Sequence, residues 1–176
     1  MVNPYDAKGK ADEVLRLLKE TVEVCFFNLV LLRGTCLGFV RDRDFIEKDN
    51  DIDIGILSNH QECTPQEKLF VTKKLLKAGF LHPSSGMLSG QEHWWAHNDC
   101  ILICIRWVFE FPKTPSFSQL RFLQSFDQVE YNEESYNVPH PVEDYLVYNY
   151  PKSMFGVDWR TPHLRPAPKR RKTQSP

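Results

Sequence analysis

The chain has 176 residues, 41% of them hydrophobic, which suits one domain of ordinary size with a core of its own. A domain of this length buries roughly 70% of the surface its unfolded chain exposes, so its folding does not depend on disulfide or metal staples. With 22 basic against 23 acidic residues the net charge is -1, which gives the whole molecule no pull toward nucleic acid or an anionic membrane.

The N-terminal stretch MVNPYDAKGKADE has no basic region leading into an apolar one, and no later window approaches a run of 18 apolar residues. On the sequence there is no export signal and no membrane span, which reads as cytoplasmic. The five cysteines, Cys25, Cys36, Cys63, Cys100 and Cys104, are odd in number and sit mostly among apolar neighbours, the pattern of reduced, buried thiols.

From Ala11 to about Asn28, Val14, Leu15, Leu17, Leu18, Val22, Val24 and Cys25 recur at helical spacing between charges, which predicts an amphipathic helix. Leu29 to Leu32 form a short apolar run that stops at Arg33-Gly34. Thr35 is placed to cap a following short helix, and Gly38 to let that helix pack closely on whatever it covers. Residues 49–57 alternate acid and isoleucine. A strand there puts Asp49, Asp51, Asp53 and Gly55 on one face and Ile52, Ile54 and Ile56 on the other.

Thr64-Pro65 followed by Glu67 marks a helix start, with Thr64 as N-cap and Glu67 closing a capping box; the helix runs through Lys77, with Gly79 as C-cap. The stretch HPSSGMLSGQ after it is turn chemistry. Residues 93–111, HWWAHNDCILICIRWVFEF, are rich in β-branched and aromatic types and predict one long or two short buried strands. Gln128–Tyr131 and Ser135–Val138 flank an Asn132-Glu133-Glu134 turn and form a hairpin, and Pro141 opens a short helix over Val142–Tyr148. The expected architecture is an α/β (α+β) domain over residues 1–162, a small mixed sheet with helices packed on one side. A proline-rich, basic tail without an apolar stripe follows over 163–176 and reads as disordered.

The acids on the isoleucine strand ask for an explanation. Carboxylates held a few ångströms apart raise one another's pKa, and a fold tolerates that when a cation sits between them. Hard oxygen ligands suit Mg²⁺ or Mn²⁺, ions that in turn bind phosphate oxygens. The Gly34-Thr35 turn and the head of the helix after it offer backbone N–H groups and a partial positive charge, a cradle for a second phosphate. A lone Asp-x-Asp is more often a solvated strand face. Here a third acid in register and an upstream Gly-Thr turn favour metal-assisted chemistry on a phosphate.

The stretch GTCLGFVRDRDFIEKDNDIDIGI resembles the signature of the LicD and fukutin family of nucleotidyltransferase-fold proteins: Gly34, Thr35, Leu37, Gly38, then Arg41, Ile46, and the acids Asp49, Asp51 and Asp53. Cys36 within GTCLG is similar to the fukutin side. VPHPVEDYLVYNYPKSMFGVDWRTP resembles the family's proline-led helix and Asp-Trp-x-x-Pro ending, with the glycine displaced to Gly156, so that the likeness covers most of residues 30–162. It implies a transferase that moves a phospho-alcohol, such as phosphocholine or ribitol phosphate, from a CDP-linked donor to a sugar hydroxyl of a glycan, with Mg²⁺ or Mn²⁺ as cofactor. Asp51, Asp53 and Asp99 are then the catalytic acids, Asp49, Asp51 and Asp53 the metal ligands, and Gly34, Thr35, Gly38 and Arg41 the donor-binding residues. No nucleic acid is expected as partner. A Golgi location is the alternative if the chain is a fragment of a longer, anchored protein.

Two departures stand against the family pattern. Glu47-Lys48 occupies the place of an aromatic or proline, and Ile103 best matches the third carboxylate of the neighbouring strand, with Asp99 four residues earlier as its replacement. Without that acid the alternative is a catalytically inactive relative that binds nucleotide or glycan. A nucleic-acid-associated nucleotidyltransferase is disfavoured by the neutral charge. His93, His97, Cys100 and Cys104 have spacings that suggest zinc, but in a single strand the histidines and cysteines point to opposite faces. Trp94, Trp95 and Trp107 read as core packing rather than a base-stacking platform, and KRRK at 169–172 as part of a solvated tail.

Overall fold

The computed structural model describes residues 2–47, 49–58, 64–81, 92–97, 101–107 and 120–161, with backbone alone for 92–94. Helix α1 spans Lys8–Glu23 and buries Ala11, Val14, Leu15, Leu18 and Val22, the stripe its periodicity predicts. It stops short of Asn28 because Phe26 takes a φ of 61°, a left-handed conformation through which a helix of L-residues does not continue. The chain then enters strand β1, Phe27–Leu31, and helix α2, Arg33–Arg41. Strand β2 is Asp51–Ser58, so Asp49 precedes the strand rather than belonging to it. Helix α3, Pro65–Lys77, carries the predicted capping box: the Thr64 hydroxyl accepts from the Glu67 N–H at 3.2 Å, and the Glu67 carboxylate accepts from the Thr64 N–H at 2.7 Å. Its C-cap is Ala78, and Gly79 follows with a φ of 90°.

The apolar stretch beyond His93 is two strands after the two-residue β3, Phe80–Leu81: β4, Glu92–His97, and β5, Leu102–Trp107. The hairpin is β6, Phe126–Tyr131, and β7, Glu134–Pro139. Its turn is two residues long, Asn132 and Glu133 at φ 47° and 66°, so Glu134 pairs with Tyr131 inside the ladder. Positive φ at both positions is the turn whose twist matches a hairpin. Helix α4, Val142–Asn149, and the four-residue α5, Lys152–Phe155, close the described chain, with Gly156 at φ 75° ending α5. The turn expected after Leu81 and the tail expected from 163 lie outside the described residues.

The seven strands form one mixed sheet in the order β3-β4-β5-β2-β1-β7-β6. Strand β2 lies at its centre, antiparallel to β1 and parallel to β5, with Leu31 opposite Ile54, Ile52 beside Ile103, and Asp53 beside Cys104. Partners in register share a face, so Ile103, Ile105 and Trp107 stand with the β2 isoleucines, and Leu102, Cys104 and Arg106 with the acids. Three helices cover the isoleucine side. Asp12 of α1 accepts from the Tyr131 hydroxyl at 2.9 Å, Phe39 of α2 packs on Tyr131 and Tyr136, and Lys68 of α3 sits over the Trp107 ring. The central strand is buried on both faces, from Ile52 to Leu57, so the acid face is not simply a solvated one.

Gly38 is the point of closest approach between α2 and the loop behind it. A Cβ there would lie 2.5 Å from the Asp44 carbonyl oxygen and 3.0 Å from a carbon of Ile46. A backbone atom cannot swing away, so Gly38→Ala is expected to destabilise by about 1–3 kcal/mol despite the better helix propensity of alanine. Gly9→Ala, where nothing lies within 4 Å, should instead stabilise by about 0.5 kcal/mol. Urea unfolding of the two variants checks both signs.

Candidate active site at the head of helix α2

The site forms where β1 hands over to α2 beside the start of β2. Leu32 is the N-cap residue, its N–H donating to the Asp53 carbonyl at 3.0 Å, and it offers no side-chain cap. The expected cap, Thr35, lies inside the helix, because the N-cap position falls three residues earlier, at Leu32. Its hydroxyl accepts the Asp53 N–H at 2.8 Å and is buried. Thr35 therefore fixes the strand that carries the acid. Gly34 donates its N–H to the Asp53 carboxylate at 3.3 Å, and a Cβ on Gly34 would fall 2.4 Å from an Asp49 carboxylate oxygen and 3.6 Å from one of Asp53. Glycine leaves room there for the Asp49 carboxylate, which a Cβ would push aside.

Arg33, the first residue of α2, takes a φ of 43°, in the left-handed region that costs an arginine on the order of 1 kcal/mol or more. Its N–H is held by the hydroxyl of the fully buried Tyr145 at 2.9 Å. The strained turn brings the Arg33 charge close enough to favour the ionised form of Asp53.

The acids are brought together. One ligand atom each from Asp51, Asp53 and Cys104 lies within 4.8 Å of the others. Asp53 is only 8% exposed, and burial above all, then the charges of Asp51 and Asp49, push its carboxyl up to about 8, against the smaller opposing pull of Arg33 and the Gly34 N–H. Tyr145 and Tyr150 are raised well above the ordinary phenol range, first by burial and also by the Asp53 charge, and stay protonated. The site is a cluster of acids with helix α2 presenting its positive end to it.

Other predicted residues fall elsewhere. Arg41 lies at the far end of α2, about 10.5 Å along the axis from Gly34 by helical rise. Its side chain is 4% exposed, paired twice with Asp42 at 2.6 and 2.8 Å and bonded to the Trp159 and Thr161 carbonyls, so it ties α2 to the C-terminal segment instead of meeting a phosphate. Gly38 faces Asp44 and Ile46, a packing role instead of a donor contact. Ile103 is a core residue on the opposite face, and the β5 side chain next to Asp53 is Cys104. Asp99 lies outside the described residues. His97 shares a face with Trp95 and the core, ring to ring with Phe80, so His97 and Cys104 stand on opposite faces and do not share an ion. Trp95 and Trp107 are buried, as core packing requires, and Cys25, Cys36 and Cys104 are buried and form no disulfide.

Sequence reasoning missed Arg33, Tyr145 and the position of Cys104. Arg33 carried a weak signal, a cation directly before the glycine of the turn. Tyr145 carried none, and Cys104 depended on the register of two strands fifty residues apart.

The site thus joins a central strand that carries Asp51, Ile52 and a buried Asp53 to the head of a helix with Gly34 at its second residue. The profile of the LicD/FKTN/FKRP nucleotidyltransferase domain matches residues 27–139, from the first strand to the last, and the chain belongs to that family. The proline-led helix and the Asp-Trp-x-x-Pro ending lie beyond the matched residues. A search of curated proteins finds no match to the chain.

Two outcomes follow from the local chemistry. Tyr145→Phe leaves the Arg33 N–H without its acceptor and is expected to cost about 1–3 kcal/mol in chemical denaturation. Asp53 keeps its proton in the folded protein to about pH 8 but loses it near pH 4 when unfolded, so between these values the folded state binds more protons. The metal-free protein should therefore lose thermal stability as pH rises from 4 to 8 and level off above. Asp53→Asn should flatten that slope, which melting curves across the pH series will read.

Proposed function

We infer that the protein is a metal-assisted transferase that moves a phospho-alcohol from a CDP-linked donor onto a sugar hydroxyl of a glycan, with Mg²⁺ or Mn²⁺ as the conventional cofactor. The observation that supports it best is the convergence of Asp51 and Asp53 on one point beside the head of α2, in a chain of the LicD family. Among the described residues the donor set suits a divalent cation: two carboxylates and a thiol within reach of one another.

Asp51 and Asp53 would hold the ion, with Asp49 as supporting ligand over Gly34. Bound there, a divalent ion neutralises charge on the donor's phosphate oxygens during displacement, the chemistry from which phosphoryl-type transfer draws most of its rate. The chain's own residues do the positioning. Thr35 pins the Asp53 backbone, Gly34 leaves the room that Asp49 occupies, and Arg33 with the positive end of α2 offsets negative charge. Asp99 is kept as a proposed further acid. Cys36, fully buried in the GTCLG stretch, favours the fukutin side of the family. The second reading, an inactive relative that still binds nucleotide or glycan, is favoured by the lack of a carboxylate at Ile103, the position that resembles the family's third acid, and by Cys104 as the β5 neighbour of Asp53. Among the described residues no helix is long and apolar enough to cross a membrane.

Thermal unfolding tests the site. CDP with Mg²⁺ or Mn²⁺, at about 100 times its Kd, should raise the melting temperature by about 5–10 °C, and Asp53→Asn should abolish the rise while leaving the fold intact. Turnover of a CDP-linked alcohol then separates the transferase from the inactive binder. Absence of any shift with CDP or UDP ligands overturns both readings.

A further inference from the structure

The donor set beside Asp53 is not the one that the family's chemistry leads one to expect. Asp53 and Cys104 are neighbours in the parallel β2–β5 register, and the Cys104 sulfur and the two carboxylates lie within 4.8 Å of one another. Ligands sit about 2.0–2.3 Å from a tetrahedral zinc ion, so any two of them are roughly 3.3–3.8 Å apart. The three atoms are therefore close to a ligating arrangement, and a small rotamer adjustment completes it. Cys104 is 1% exposed, which removes the usual alternative of a surface thiol facing solvent.

We propose that Cys104 is a direct ligand of the cation held by Asp51 and Asp53, and that it turns this site toward a thiophilic divalent ion, zinc above all, in preference to Mg²⁺. The inference rests on the reading of Asp51 and Asp53 as a metal site and sharpens it by naming the class of ion. Magnesium demands near-octahedral oxygen ligation and gains little from sulfur, whereas zinc and cobalt bind thiolate well. On binding, the Cys104 S–H bond breaks and a sulfur–metal bond forms, the Asp53 carboxyl gives up its proton as its oxygen joins the ion, and both protons leave to solvent. Two carboxylates and one thiolate leave coordination positions for water or a phosphate oxygen, the open arrangement of a catalytic rather than a structural zinc site.

The experiment titrates the metal-free wild-type protein, Cys104→Ser and Cys104→Asp with Mg²⁺, Zn²⁺ and Co²⁺ alone. Three results are expected. Cobalt gives the wild type a near-ultraviolet thiolate-to-metal charge-transfer band that Cys104→Ser lacks. Zinc binds the wild type more tightly than magnesium, and Cys104→Ser weakens zinc by at least about 10–100-fold, the loss that even changes behind the direct ligands cause. Cys104→Asp shifts the preference back toward magnesium. A cobalt band that persists in Cys104→Ser, or zinc affinity unchanged by that substitution, overturns the inference. In that event a CDP and Mg²⁺ stabilisation that Asp53→Asn abolishes and Cys104→Ser does not would leave the proposed function standing, whereas a wild type that binds no divalent ion overturns both.

Discussion

A single carboxylate placed at the centre of a sheet organises this molecule. Asp53 sits on the middle strand of seven, almost out of solvent, with Asp51 and Asp49 near enough to repel it. A charge in that position is costly unless something answers it. What answers it here is a set of weak, oriented contributions: one N–H at 3.3 Å, the Arg33 charge and the positive end of a helix. They are too few to hold Asp53 ionised at neutral pH. The imbalance makes the site a place that gains from a cation.

The surrounding structure serves to hold that imbalance steady. Thr35 and Leu32 fix the Asp53 peptide from both sides, one accepting its N–H and the other donating to its carbonyl. Tyr145 reaches from α4 to keep the Arg33 turn in a conformation that the chain alone would not choose. On the other face, α1, α2 and α3 clamp the isoleucines, so the strand cannot tilt to relieve the repulsion. The rigidity of the core and the strain of the site are two sides of one strand.

Much of this was legible in the sequence where the signal is local. The alternation of acid and isoleucine fixed which β2 side chains share a face, the Thr64-Glu67 pair announced α3, and Asn132 marked the hairpin turn. What escaped reading depends on partners distant in the chain. Whether Ile103 or Cys104 flanks Asp53 turns on a one-residue register between strands fifty positions apart, and a slip by one exchanges core for site. Thr35 reads as a cap because nothing local in the sequence shows that α2 starts at Arg33, three residues before a helix capped by Thr35 would. Arg41 looked available for phosphate because nothing nearby in sequence reveals that the carbonyls of Trp159 and Thr161 come back to meet it.

That last contact reaches beyond the matched family domain. The family match ends at residue 139, yet the carbonyls that Arg41 grips and the hydroxyl that restrains Arg33 all come from residues 145 to 161. Cutting the chain at the edge of the match would leave the Arg41 guanidinium with Asp42 but without its two carbonyl partners, and would release the bend at the helix head. The portion recognisable by kinship thus leaves out contacts that hold the site, and the closing segment works as a buckle on the half that carries the acids.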